Sequence, residues 1–270
     1  MSEPLVPGPA FELLFEHPAL PAGALPAELA RAYGGGLGFE GPRLFANFVA
    51  SLDGVVALNS GGNSGQVISQ DSRADRFVMG LLRACAGAVI VGAGTFRKSA
   101  THRWQPEVIY PPAAALYAEL RAKLGLALSL QLVLVSESGE LVLDAPALSD
   151  AWVATSPEGA DRLRGKLPSG ARLMAFDFAR SGLSDLVSTL HDEGHQQLLT
   201  EGGPTLFARL VRERLVDELF LTSAPTLFGR FDDDRRKSLL QGLDLAGTTL
   251  ELSSVRRNAS HLFLRYALNR

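Results

Sequence analysis

From Leu44 onward the chain alternates short apolar runs with segments of helical period, and this alternation constrains the fold more than any other feature. Residues 87–92, GAVIVG, are apolar at every position between two glycines. A run so short and so apolar reads as a central strand covered on both faces. Residues 44–50, 131–136, 152–155, 172–176, 197–200 and 216–223 read as further strands. Between them, 71–86 carries Phe77, Val78, Leu81, Leu82 and Cys85 at helical spacing, and 111–124, 157–167, 183–192 and 204–214 fit helices. Strands alternating with helices specify an α/β fold with a mostly parallel central sheet and helices on both faces. Residues 248–255 and 262–268 read as an antiparallel pair turning around 257–260, which adds an antiparallel C-terminal edge.

Residues 1–42 lack this pattern. They are rich in Pro, Ala and Gly and close on Gly34-Gly35-Gly36-Leu37-Gly38 and Gly41-Pro42, which punctuates a chain without defining a core. We read 1–42 as an arm, expected to pack through Phe11, Leu13, Leu14 and Phe15 on a main domain spanning 43–270. A net charge of −3 offers no basic face for a phosphate backbone, so no nucleic-acid partner is expected. The one cysteine, Cys85, rules out an intramolecular disulfide and any zinc site needing two thiolates. No basic-then-apolar leader is visible, and no apolar run approaches the roughly 20 residues of a membrane helix. A cytoplasmic chain with no membrane partner and no metal is the expectation.

In an open α/β sheet, ligands bind beyond the carboxyl ends of the strands. Three such ends here are built from small residues: Ala50-Ser51-Leu52-Asp53-Gly54, Val91-Gly92-Ala93-Gly94-Thr95 and Thr200-Glu201-Gly202-Gly203-Pro204-Thr205-Leu206. Glycine at a strand-to-helix junction lets backbone N–H groups approach a phosphate, and a helix N-terminus adds a favourable dipole. Two such junctions suit a dinucleotide, although neither is a Rossmann fingerprint, because Arg97 stands where the third glycine belongs. Each is equally readable as a tight turn. Asp53 reads either as an Asx-turn residue or as a group at the cleft. Asp75 reads either as a charge favouring its helix N-terminus or as an acid facing the cleft. His191 and His195 share helical spacing, but Gly194 interrupts the turn, so they read as a helix end and not as ligands. The run 232–237, DDDRRK, reads as a solvated loop. Neither a G-x-S-x-G elbow nor a P-loop is present.

The three junctions, with Leu215-Val216-Asp217-Glu218-Leu219 and Ala224-Pro225-Thr226-Leu227-Phe228-Gly229 in the same order, resemble the pyrimidine reductase family of bacterial riboflavin biosynthesis. The resemblance runs from about Leu44 to Tyr266 and implies a dihydrofolate reductase-like fold, NADPH as cofactor and a homodimer. Carried over by position, it implies Ala50 and Asp53 beside the nicotinamide, Val91, Gly92, Gly94 and Thr95 at the phosphate end, and Glu201, Gly202, Gly203, Thr205 and Leu206 at the pyrophosphate. It also implies Ser136 on the adenosine side, a nicotinamide-covering loop over 55–65, and Asn47, Gln66, Ser69 and Arg83 toward the substrate. From charge alone, Arg97 is assigned to the 2′-phosphate.

Two departures fall in the substrate half. Val67 stands where the family usually has tryptophan, and Phe96-Arg97-Lys98-Ser99-Ala100-Thr101-His102 replaces an Asp-Asp-Pro run. The deaminase chemistry often associated with the family needs an H-x-E and P-C-x-x-C zinc site, which a lone Cys85 does not supply. The implied activity is reduction of a pyrimidine intermediate by hydride transfer, with Asp75 as the proton source and Asp53 as a second catalytic candidate. A pterin or dihydrofolate reductase and a non-catalytic NADPH-binding regulatory protein stand as alternatives.

Overall fold

The computed structural model describes residues 5, 10–23, 25–58, 63–230 and 236–268. The chain opens with β1 (Glu12–Glu16), α1 (Ala27–Tyr33), β2 (Arg43–Ser51), β3 (Val55–Ala57), α2 (Ser64–Ile68) and α3 (Arg73–Cys85). It continues through β4 (Ala88–Gly92), α4 (Ala93–Lys98), α5 (Pro106–Ile109), α6 (Ala114–Lys123), β5 (Gln131–Val135), β6 (Trp152–Thr155), α7 (Pro157–Leu163) and β7 (Arg172–Ala175). It closes with α8 (Gly182–Asp192), β8 (Gln197–Thr200), α9 (Pro204–Arg212), β9 (Glu218–Ala224), β10 (Lys237–Ser238), β11 (Glu251–Asn258) and β12 (His261–Ala267).

One sheet runs in the order β1-β11-β12-β9-β2-β8-β4-β5-β6-β7. From β9 to β7 every neighbouring pair is parallel. From β9 outward to β1 every pair is antiparallel. This is the expected α/β architecture with its antiparallel edge. The two-residue alternation of a strand sorts β4 cleanly: Val89 and Val91 enter one core, Ala88 and Ile90 the other. The first core holds Phe77, Leu81, Tyr117 and Leu120 from α3 and α6; the second holds Leu186, Leu190, Phe207 and Leu210 from α8 and α9.

The arm contributes to the first of these cores. Phe11, Leu29, Tyr33 and Leu37 are buried in it, and β1 extends the sheet beside β11. Leu13, Leu14 and Phe15, expected to pack inward, are instead exposed, because β1 is the outermost strand and nothing among the described residues covers it. Buried arginines tie the arm to the far end of the chain. Arg256 donates to Glu16 at 2.6 Å and to the Tyr33 carbonyl at 3.0 Å.

Local chemistry moved several boundaries. The segment 54–65, read as loop, contains β3 and the start of α2, whose N-cap Asn63 accepts from the Gln66 N–H. Residues 59–62 of that loop, and 232–235 of the charged run, lie outside the described residues. The helix expected from Asp71 begins at Arg73, since Gln70 and Asp71 adopt positive φ and Ser72 caps the Asp75 N–H. The helix expected to reach 167 stops at Leu163, two residues before Gly165 at φ +70°. The strand expected from Val216 begins at Glu218. Asp217 instead clamps the start of β2, its carboxylate accepting from the Leu44 N–H at 2.8 Å. Gly194, at φ +92°, follows the end of α8, and His195 packs edge-on to Trp152 at 5.4 Å.

Candidate active site

The three small-residue strand ends leave β2, β8 and β4, which are neighbours in the sheet. The central strand β8 is the shortest of them, ending at Thr200 while β2 runs on to Ser51. The upper part of β2, from Asn47 to Val49, therefore forms a wall above the β8 end. Thr200 fixes the turn that follows. Its hydroxyl donates to the Ile90 carbonyl at 3.1 Å and accepts from the Gly202 N–H at 3.2 Å. Gly203 then leads into α9, with Pro204 at the position where a missing N–H costs least.

Contacts at this junction are tight on the side-chain face of both glycines. A Cβ on Gly202 would lie 2.7 Å from Leu206 Cδ2, and one on Gly203 would lie 2.9 Å from Thr95 Oγ1. The β4 and β8 junctions thus abut through Thr95, and the first turn of α9, whose N–H groups have no partner inside the helix, opens beside them. A turn with no side chains at 202 and 203, beside the free N–H groups of α9, fits an anionic diphosphate approached by backbone.

Above this floor lies a cleft of about 980 Å³. Arg83 and Glu201 form its buried ionic centre: Nε to Oε1 is 2.8 Å and Nη2 to Oε2 is 2.6 Å. The Arg83 Nη1 donates to the Gln105 carbonyl at 3.3 Å and lies 3.2 Å from His102 Nε2. Arginine only donates, so that Nε2 accepts and the ring proton resides on Nδ1. Burial, reinforced by the Arg83 charge, pushes His102 down to about 4, leaving it neutral at physiological pH. Asp75, the third residue of α3, is 5% exposed and borders the same cleft. Burial drives its carboxyl from 3.8 up to about 6, opposed by a Thr222 hydrogen bond and assisted by the Glu201 charge.

Thirteen of the expected residues line this cleft: Asn47, Gln66, Ser69, Asp75, Arg83, Gly92, Gly94, Thr95, Glu201, Gly202, Gly203, Thr205 and Leu206. Arg97 and Ser136 line an adjoining pocket with Ser138, Ser156 and three glutamates, Glu137, Glu140 and Glu158. Ala50, Asp53 and Val91 line neither. Val91 is fully buried within the sheet. Asp53 turns away to its own loop, where Oδ1 accepts from the Ser51 hydroxyl at 2.6 Å and Oδ2 from the Gly229 N–H at 2.7 Å. The Ser51 hydrogen bond is the main cause of its lowered pKa, so Asp53 is an ionised turn residue outside the cleft. Sequence reasoning missed Arg76, Met79, Lys98, His102, Arg103 and Lys237, all on the cleft wall. Four belong to segments without a regular pattern or a matching motif. Among the described residues no group of three His, Cys, Asp or Glu could hold a metal.

Residues 42–264 match the model of the RibD C-terminal domain. The chain belongs to the RibD C-terminal domain family. Within that family it is 29% identical over 194 residues to the 2,5-diamino-6-ribosylamino-4(3H)-pyrimidinone 5′-phosphate reductase of Archaeoglobus fulgidus, covering 71% of this chain and 84% of that protein. It is 26% identical over 192 residues, 70% of this chain, to the riboflavin biosynthesis protein RibD of Bacillus amyloliquefaciens. It spans about half of that longer protein, 47% of its length. The solved structure of a pyrimidine reductase-like protein from Corynebacterium diphtheriae shares the fold. Its TM-score is 0.68 at 24% identity, with 85% of this chain and 92% of that one covered.

The RibD C-terminal domain match takes in both junctions, and the abutting glycine and threonine yield a direct test. Gly203→Ala is expected to lower the melting temperature, since the new methyl must push the Thr95 hydroxyl away from the β8 turn. The packing cost is about 1–3 kcal/mol. Thermal unfolding of the variant beside the wild type checks it.

Proposed function

We propose that this chain is an NADPH-dependent reductase of a ribosylaminopyrimidine 5′-phosphate in riboflavin biosynthesis. The observation that carries the reading is a protonatable buried carboxyl, Asp75, in the same cleft as a two-junction glycine cradle suited to a diphosphate. The substrate for which the Archaeoglobus relative is named supplies the substrate class.

When bound, NADPH supplies a hydride from C4 of its nicotinamide. The chain's own residues do the rest. Gly202, Gly203 and the first turn of α9 hold the diphosphate through backbone N–H groups. Arg97 and Ser136, in the adjoining pocket, receive the adenosine end with its 2′-phosphate. Asn47, Gln66, Ser69 and Arg83 border the space left for the pyrimidine. Asp75 would deliver the proton taken by the nitrogen of a ring-opened sugar imine as that C=N bond is reduced, directly or through one water. Arg83 neutralises Glu201, which would otherwise compete for that proton.

No helix among the described residues is long and apolar enough to cross a membrane. A cytoplasmic homodimer accompanies this reading as the family resemblance implies it.

Oxidation of NADPH, followed by loss of the reduced nicotinamide absorbance, tests the function with diaminopyrimidinone and aminouracil ribosylamino phosphates alongside dihydrofolate and dihydropterin. Turnover with a ribosylaminopyrimidine phosphate is the expected result. Turnover confined to the pterins would assign the chain to that class, and tight NADPH binding without turnover on any of them would make it a binding protein.

A further inference from the structure

Lys237, a cation on the cleft wall, has no carboxylate partner among the described residues. Lys237 belongs to β10, which pairs only with β3 in a two-stranded ribbon apart from the main sheet, opposite Ala57. The ribbon is pinned next to this residue. Arg236 donates to the carbonyls of Phe228 at 2.8 Å and Gly229 at 2.6 Å, and Gly229 is itself held by Asp53. The Lys237 backbone is therefore set in place, and its side chain reaches the cleft, with Nζ 3.5 Å from the Thr205 hydroxyl.

Thr205 is the second residue of α9, so the ammonium sits at the positive end of that helix. Among the described residues no carboxylate pairs with it. The two glutamates of the cleft wall, Glu201 and Glu137, are already taken by Arg83 and Arg209. An ammonium beside a helix N-terminus is an electrostatic conflict unless an anion lies between them and satisfies both. The glycine cradle described above opens at the same helix start.

We propose that the Lys237 ammonium binds the diphosphate of a dinucleotide, sharing its oxygens with the N–H groups of the first turn of α9. This assignment rests on the reductase reading. Its specificity is for the diphosphate and not for either nucleoside, because a lysine acts on phosphate as a point charge.

The test titrates the full chain and its Lys237→Ala and Lys237→Arg variants with three probes: NADPH, 2′-phospho-ADP-ribose and adenosine 2′-monophosphate. The first two carry a diphosphate and the third does not. Lys237→Ala is expected to weaken the first two about tenfold, as loss of one charge-assisted contact does, and to leave the third unchanged. Lys237→Arg is expected to keep most of the affinity, and the salt dependence of NADPH binding is expected to be shallower in the alanine variant than in the wild type. Unaltered NADPH affinity in Lys237→Ala, or an equal loss for adenosine 2′-monophosphate, overturns the assignment while leaving the reductase reading intact. A wild-type chain that binds no nicotinamide dinucleotide overturns the reductase reading itself, and the assignment with it.

Discussion

Asp75→Asn is expected to lower turnover about a hundredfold, the range a positioned acid contributes, while raising the melting temperature at pH 7.5. The two effects share one cause. A carboxyl held at about 6 in place of 3.8 is ionised at pH 7.5 at a cost of burial that the unfolded chain does not bear. Between about pH 3.8 and 6 the unfolded group has lost its proton and the folded one keeps it, so stability falls as pH rises through that window. Above it the loss is complete, about 3 kcal/mol for a shift of some two units. Asparagine keeps a hydrogen-bonding amide beside Thr222 without the charge, so the variant escapes this loss. The gain in melting temperature should shrink toward zero as both proteins are measured below pH 4. Wild-type turnover should decline above pH 6, where the proton is no longer held, with NADPH affinity unaffected. Unchanged turnover in Asp75→Asn would remove this residue from the proton path.

The second large effect is on stability. Arg83→Ala is expected to destabilise the chain by about 3–5 kcal/mol, because it strands a buried carboxylate. Arg83 is 1% exposed, and Glu201, whose side chain is 8% exposed, has no second cation bonded to it among the described residues. The guanidinium also bridges the Gln105 carbonyl and His102, so its loss opens the wall that carries Trp104 as well. For a chain of this size the melting temperature should drop on the order of 10 °C. Adding Glu201→Gln should recover part of that loss, since the double variant no longer buries an unpaired charge. If the double variant is no more stable than Arg83→Ala alone, desolvation of Glu201 is not what makes the pair indispensable, and lost packing is.

The sheet was legible because its central strands are buried on both faces. The run 87–92 holds only glycine and apolar side chains, and the strands at 131–135 and 152–155 carry one polar residue each, so their position follows from burial. The short elements were not legible. β3, α2, α5 and β10 span two to five residues, too few to show a period, and they exist because larger elements hold them. The same contrast runs through the site. Glycines at 202 and 203 announce a close backbone approach, and thirteen expected residues meet in one cleft. Asp53 was open to two readings, a turn residue or a group at the cleft, and hydrogen bonds to Ser51 and to Gly229, far along the chain, hold it in the turn. Lys237 was hidden. A charged run reads as solvated unless one knows that a distant segment, β3, folds it over the helix start.

The order of strands also sets the order in which the cleft can come into being. β2 supplies its wall, yet both neighbours of β2, β8 and β9, are made much later; the Leu44–Asp217 clamp closes over 173 residues and the Glu16–Arg256 pair over 240. Closing loops of that length is slow compared with forming local pairs. The strands β4 to β7, which are neighbours in sequence and in space, can associate while β2 still lacks a neighbour. During synthesis, Asn47 and the rest of that wall wait as an apolar strand with two open edges until the last third of the chain emerges, which makes this segment the one most in need of protection from other chains.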